Sequence, residues 1–133
     1  MKGEVSIRVR YAETDKMGFV YYGNFATYFE VARVETLRQH GISYKEMEEN
    51  GFLWPVLEFN IKYFKPAYYD ELLTITCEAS LVSSTRVVFE QCTYNAEKVL
   101  LNKGHVTLVS LHSATMKPAV IPDAIMKHLK NKE

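Results

Sequence analysis

The stretch YAETDKMGFVYYGN, Tyr11 to Asn24, separates two runs of different periodicity, and the fold turns on how it is read. Before it, Val5, Ile7, Val9 and Tyr11 alternate with Ser6, Arg8 and Arg10, the period of a strand with one buried face. After it, Phe25, Tyr28, Phe29 and Ala32 fall on one helical stripe that Val31, Val34 and Leu37 widen. Asn24 is suited to cap that helix and Gly41 to end it, a span of about 25 Å at the usual rise. The stretch between is then a strand-to-helix connector. A plain connector needs turn residues and solvating groups, yet this one gathers Met17, Phe19, Tyr21 and Tyr22 around the pair Thr14-Asp15.

Moving outward, Ser43 and Glu46 form a capping box for a short second helix, which Gly51 closes after Asn50. Four strand-like runs follow. VLEFNIKYF alternates Leu57, Phe59, Ile61 and Tyr63 against Glu58, Asn60 and Lys62; LLTITCEASL alternates Leu73, Ile75, Cys77, Ala79 and Leu81 against Thr74, Thr76, Glu78 and Ser80. RVVFEQCTYN and VLLNKGHVTLVSLHS complete the set, and the links KPAYYDE, VSST and AEK have hairpin length. Consecutive strands joined this way are expected to pair antiparallel. The tail PDAIMKHLKNKE is expected to add a last amphipathic turn or two from Pro122 and Asp123. The order predicts an α+β arrangement, a five-stranded antiparallel sheet with one helix across one face. No linker, repeat or low-complexity run divides the chain, so one domain over 1–133 is expected. One helix does not also cover the sheet's edge, and a second copy is the cheapest partner for it.

Across 133 residues, sixteen basic and sixteen acidic side chains cancel. That leaves no electrostatic footprint for nucleic acid or an anionic membrane. No window approaches the roughly 20 apolar residues of a membrane span, and MKGEVSIRVR lacks a signal-peptide core. A cytoplasmic protein is expected. Cys77 and Cys92 fall in neighbouring strands where they could face each other, but free thiols are expected in a reducing compartment. His40, His105, His112 and His128 form no metal spacing, His105 and His112 being seven apart on one run and so pointing to opposite faces. No Gly-x-Ser-x-Gly elbow exists.

Asp15 precedes the helix by nine residues, with Gly18 between to bend the backbone. The orphan N–H groups of a helix start attract negative charge, and an acyl carbonyl oxygen gains such charge when attacked. A nearby carboxylate supplies either the nucleophile or the base for water. An aspartate in such a loop is far more often a turn or capping residue than a catalyst, and spacing alone does not separate the two readings.

The block VRYAETDKMGFVYYGNFATYFEVARVETLRQHG resembles the opening of the hotdog-fold acyl-CoA thioesterases of the 4-hydroxybenzoyl-CoA thioesterase type. The likeness is carried by Thr14, Asp15, Gly18, Val20, Tyr21, Asn24, Tyr28, Phe29, Glu30, Ala32 and Arg33, and further on by NIKYFKPAYYDELLTI. The resemblance implies a hotdog fold, a sheet wrapped around one long helix, and hydrolysis of acyl-CoA to free acid and CoA without metal or redox cofactor. It implies that Asp15 is the catalytic aspartate and that Tyr22 offers its backbone N–H to the thioester oxygen. Some relatives carry histidine at that position; here it is tyrosine, so only the backbone role carries over. It also implies sites at the subunit interface of a homodimer or homotetramer. Glu30 is a second carboxylate, read here as pairing with Arg33 or another base. Tyr11, Trp54, Pro55 and Val56, at strand ends close to the loop, are candidates for the acyl pocket. Arg86 is the candidate for the CoA phosphates, ahead of Lys62, Lys65, Lys103 and Lys117. Two rival readings are an acyl-carrier-protein thioesterase and a non-catalytic acyl-binding module.

Overall fold

Alternation puts Leu73, Ile75, Cys77 and Ala79 on one face of β4 (Leu72–Ser83), all buried, and β5 (Arg86–Tyr94) repeats the pattern through Val87, Phe89, Gln91 and Thr93. In the computed structural model, which describes residues 1–129, these two strands form the middle of a five-stranded sheet. Its order is β1-β4-β5-β6-β3, with β1 at Lys2–Arg8, β6 at Leu100–Val109 and β3 at Val56–Tyr63. Every neighbouring pair is antiparallel. A 16-residue helix, α1 (Asn24–Gln39), buries Phe25, Tyr28, Phe29, Ala32 and Leu37 in the same core as the inward residues of β4, β5 and β6. Phe29 sits over Gly104 of β6, where a Cβ would approach its ring to 3.1 Å.

The helix ends differ from one another in how they meet expectation. At the C-terminus, Gly41 adopts φ +77°, its N–H reaches the Arg38 carbonyl, and the Ile42 N–H reaches Leu37. This is the Schellman closure that the glycine's position suggests. At the N-terminus Gly23, not Asn24, holds the cap position, and the Asn24 amide instead donates to the Glu13 carbonyl at 2.8 Å. The short helix α2 (Tyr44–Glu49) is capped by the Ser43 hydroxyl, which accepts the Glu46 N–H at 3.2 Å.

Three strand-level expectations are corrected. The first strand stops at Arg8, so Tyr11 lies in a 3-10 turn (Tyr11–Glu13) and is exposed. The link from β3 to β4 is no hairpin. Phe64 and Lys65 donate to the Leu101 carbonyl at one edge, while at the other the Asp70 N–H donates to the Val9 carbonyl and the Val9 N–H to the Glu71 carbonyl. The link therefore carries the chain across the end of the sheet, and β3 pairs with β6 while β4 joins β1. The last run breaks after Val109, and His112 belongs to a two-residue strand, β7 (Leu111–His112), paired with β2 (Phe52–Leu53). The cysteines also part. Cys77 stands opposite Gln91, and Cys92 opposite Thr76, so their side chains leave opposite faces and both are free. The tail forms α3 (Asp123–Leu129), and the remainder of that expectation lies outside the described residues.

The two edges of the sheet are treated differently. At β1, the Gln39 amide of α1 donates to the Glu4 carbonyl at 2.9 Å, and a Cβ on Gly3 would press on Thr36 and Gln39. At β3, Val56, Leu57, Phe59 and Tyr63 are all exposed, although Leu57, Phe59, Ile61 and Tyr63 make one side of the strand apolar. Among the described residues no helix is long and apolar enough to cross a membrane.

Candidate active site

The connector opens as a miniature hairpin. Thr14 and Val20 form an antiparallel bridge, the Asp15 N–H donates to the Phe19 carbonyl, and the Gly18 N–H returns to the Asp15 carbonyl. Gly18 sits at φ +92°, the left-handed position that such a three-residue loop requires. One Asp15 oxygen, Oδ1, accepts the Met17 N–H at 2.9 Å, while Oδ2 has no partner among the described residues. Asp15 is therefore both a turn residue and a free acceptor.

Asp15 lines a cavity of about 280 Å³ together with Phe19, Tyr22, Phe25, Tyr63 and Lys65 among others. The cavity stands at the start of α1, whose first turn carries no acidic residue to offset its positive end. The N–H groups of Tyr22 and Gly23 donate to nothing among the described residues, while the next two, of Asn24 and Phe25, are taken by Tyr21 and Tyr22 carbonyls. Tyr63 donates its hydroxyl to the Tyr22 carbonyl at 2.8 Å and so fixes the peptide that carries the Gly23 N–H. Asp15 and Tyr22, whose N–H has no partner among the described residues, thus line one cavity with an apolar wall, and a carboxylate with a free amide suits attack on a carbonyl.

Glu13 ties the surroundings together. Its carboxylate accepts the Arg10 N–H at 2.8 Å, the Arg10 guanidinium at 2.7 and 3.0 Å, and the Tyr28 hydroxyl at 2.7 Å. Its carbonyl accepts the Tyr21 N–H at 2.9 Å and the Asn24 amide. Burial works to raise the Glu13 pKa, but Arg10 and Tyr28 outweigh it and hold the carboxylate below its ordinary range. Tyr28 moves the other way, pushed up by burial and then by Glu13.

Asp15 and Tyr22 share one cavity; Tyr11, Trp54, Pro55, Val56 and Arg86 do not line it. Tyr11 is 79% exposed, its ring against Tyr69 at 5.5 Å between centroids. Trp54, Pro55 and Val56 line a separate cavity of about 550 Å³ with Glu30, Arg33 and Tyr44. Arg86 begins β5 opposite Val109, at the same end of the sheet as Val56. At 3.3 Å per residue, β3 sets Val56 and Tyr63 about 23 Å apart. The pairing expected between Glu30 and Arg33 is absent as an ion pair; Arg33 donates instead to the buried Gln91 at 3.2 Å. Tyr63 and Glu13 escaped the sequence reading, because their partners lie 41 and 15 residues away. Lys65 was one of several basic candidates, and it alone among them lines the Asp15 cavity.

The antiparallel sheet packed on α1 is that of the hotdog-type thioesterases. The chain belongs to the Thioesterase superfamily, whose sequence model matches residues 17–101, and it is on that ground an enzyme. The match begins two residues after Asp15. The acyl-CoA thioester hydrolase YbgC of Escherichia coli O6:H1 is 34% identical over 124 residues, covering 93% of this chain and 92% of that protein. The crystal structure of a DHNA-CoA thioesterase from Staphylococcus aureus superposes with a TM-score of 0.86 at 36% identity, over 90% of this chain and 80% of that one. A 1,4-dihydroxy-2-naphthoyl-CoA thioesterase from Synechocystis reaches a TM-score of 0.92 over 98% of this chain and 97% of that one; at 21% identity it speaks for the fold alone.

Proposed function

We propose that this chain hydrolyses an acyl-CoA thioester to free acid and CoA, with Asp15 as nucleophile or general base. The Tyr22 N–H polarises the thioester carbonyl as charge gathers on its oxygen. The observation that supports this reading is the cavity lined by both Tyr22 and Asp15, whose carboxylate keeps one oxygen without a partner among the described residues. The names of the relatives supply the thioester and the CoA.

The same reading makes the enzyme a homodimer or a pair of dimers joined through β3. Two copies related by a twofold axis pair such edges antiparallel. The Val56 end of one copy then lies beside the Tyr63 end of the other. This brings Trp54, Pro55 and Val56, and the neighbouring Arg86, toward the Asp15 cavity of the opposite copy, with Tyr11 on the loop at its mouth. The substrate-binding group and the catalytic pair, far apart in one chain, meet across that interface.

A thiol-release assay over aliphatic and aromatic acyl-CoA esters tests the proposal on wild type and Asp15→Asn. Loss of the carboxylate is expected to lower kcat by about 100-fold or more, the usual contribution of a positioned base. Wild-type turnover in Asp15→Asn would sink the assignment, and a monomer by light scattering would sink the shared site.

A further inference from the structure

We infer that Glu13 is the positioning residue of this site, setting the gap between the Asp15 carboxylate and the Tyr22 N–H; the inference rests on the roles proposed for those two groups. Glu13 is the one residue bonded to both walls of the connector. On the strand side it holds Arg10 by three bonds of 2.7–3.0 Å. On the helix side its carbonyl takes the Tyr21 N–H and the Asn24 amide, and its carboxylate takes the Tyr28 hydroxyl one turn further along α1. Asp15 follows two residues after Glu13, and Tyr22 directly follows the anchored Tyr21. Each chemical group is therefore separated from a Glu13 bond by very little free backbone.

The bonds to the carboxylate are charge-assisted and about twice as strong as neutral ones. The Glu13 side chain is only 14% exposed and its bond to Tyr28 is partly buried, while Arg10 reaches it from the solvent side. Glu13 does not line the cavity, whose lining runs from Asp15 onward. Its effect reaches the reaction through geometry. A displacement of about 1 Å at a reacting pair costs up to 100-fold in rate.

The experiment compares Glu13→Ala, Glu13→Gln, Glu13→Asp and Tyr28→Phe with wild type and Asp15→Asn, at a temperature where circular dichroism shows each variant folded. For Glu13→Ala, kcat is expected to fall about 10- to 100-fold with KM nearly constant, because binding surface is untouched while alignment is lost. Glu13→Asp restores the charge and is expected to recover part of the loss; Tyr28→Phe removes one anchor and falls between. Loss of activity with Asp15→Asn alongside a kcat within about twofold of wild type for Glu13→Ala overturns the positioning role and leaves the catalytic reading standing. A Glu13→Ala loss carried by KM, or no recovery in Glu13→Asp, overturns it as well. If Glu13→Ala does not fold, Glu13→Gln and Tyr28→Phe are judged by the same split between kcat and KM. Wild-type turnover in Asp15→Asn brings down both readings together.

Discussion

Replacing Gly104 with alanine tests how tightly β6 is pressed between α1 and β3. A Cβ at this position would fall against the Asn60 carbonyl oxygen, with the Phe29 ring at 3.1 Å and the Ile61 Cα at 3.2 Å. Two of these three neighbours are backbone, and the third is a phenylalanine with no exposed surface. None yields cheaply. Glycine to alanine within a strand normally gains about 0.5–1 kcal/mol, whereas an extra methyl in a filled core costs about 1–3 kcal/mol. The net expectation is a loss of about 1–2 kcal/mol. With about 2.1 cal/mol/K of unfolding entropy per residue over 133 residues, each kcal/mol moves Tm by about 3.6 °C, giving a fall of about 4–7 °C. Scanning calorimetry at one fixed protein concentration reads this directly, the concentration being held because association shifts Tm. The displaced strand is also the one that carries Tyr63, so kcat should fall below wild type in the same variant. A Gly104→Ala protein as stable as wild type, or more so, would refute the packing argument and leave strand propensity as the governing term.

Tyr63→Phe removes the hydroxyl from the Tyr22 carbonyl; a loss of about 0.5–1.5 kcal/mol is expected in urea unfolding, with kcat falling more than KM, and an unchanged kcat would count against the clamp. Burial pushes the Cys77 thiol up to about 11, so it stays protonated and unreactive at pH 8. A disulfide exchange reagent should therefore label one thiol per native chain at most, Cys92, and both in denaturant; rapid labelling of two in the native protein would contradict the assignment of the cysteines to opposite faces.

What was legible in the sequence was what local periodicity encodes. The stripe from Phe25 to Leu37 located α1, Gly41 located its end, and the alternation through β4 and β5 identified the inward residues one by one. Strand order was not legible. An eight-residue link from Phe64 to Glu71 has hairpin length, yet its ends are tied to Leu101 and Val9 on opposite sides of the sheet, and nothing in the link itself announces those partners. The same reversal explains the scattered pocket residues. Trp54–Val56 were read as neighbours of the loop because they begin a strand, but it is the far end of that strand, at Tyr63, that meets Tyr22. Asn24 has the chemistry of a cap, and its side chain is spent on Glu13 instead. Asp15 and Tyr22, singled out through the family pattern, line one cavity. The residues that hold them did not show, because hydrogen bonds over 15 and 41 positions leave no mark on sequence spacing.

The unequal flanks of the sheet set a limit on how copies of this chain can join. The last turn of α1 covers part of the β1 edge through Gln39, which leaves the exposed β3 as the freer side for strand addition. A unit with one such side stops growing after one union, since both outer margins of the product are the covered ones. In the pairing proposed through β3, growth by strand addition would end at a closed pair, and a larger assembly would use other surfaces, with no route to an endless ribbon.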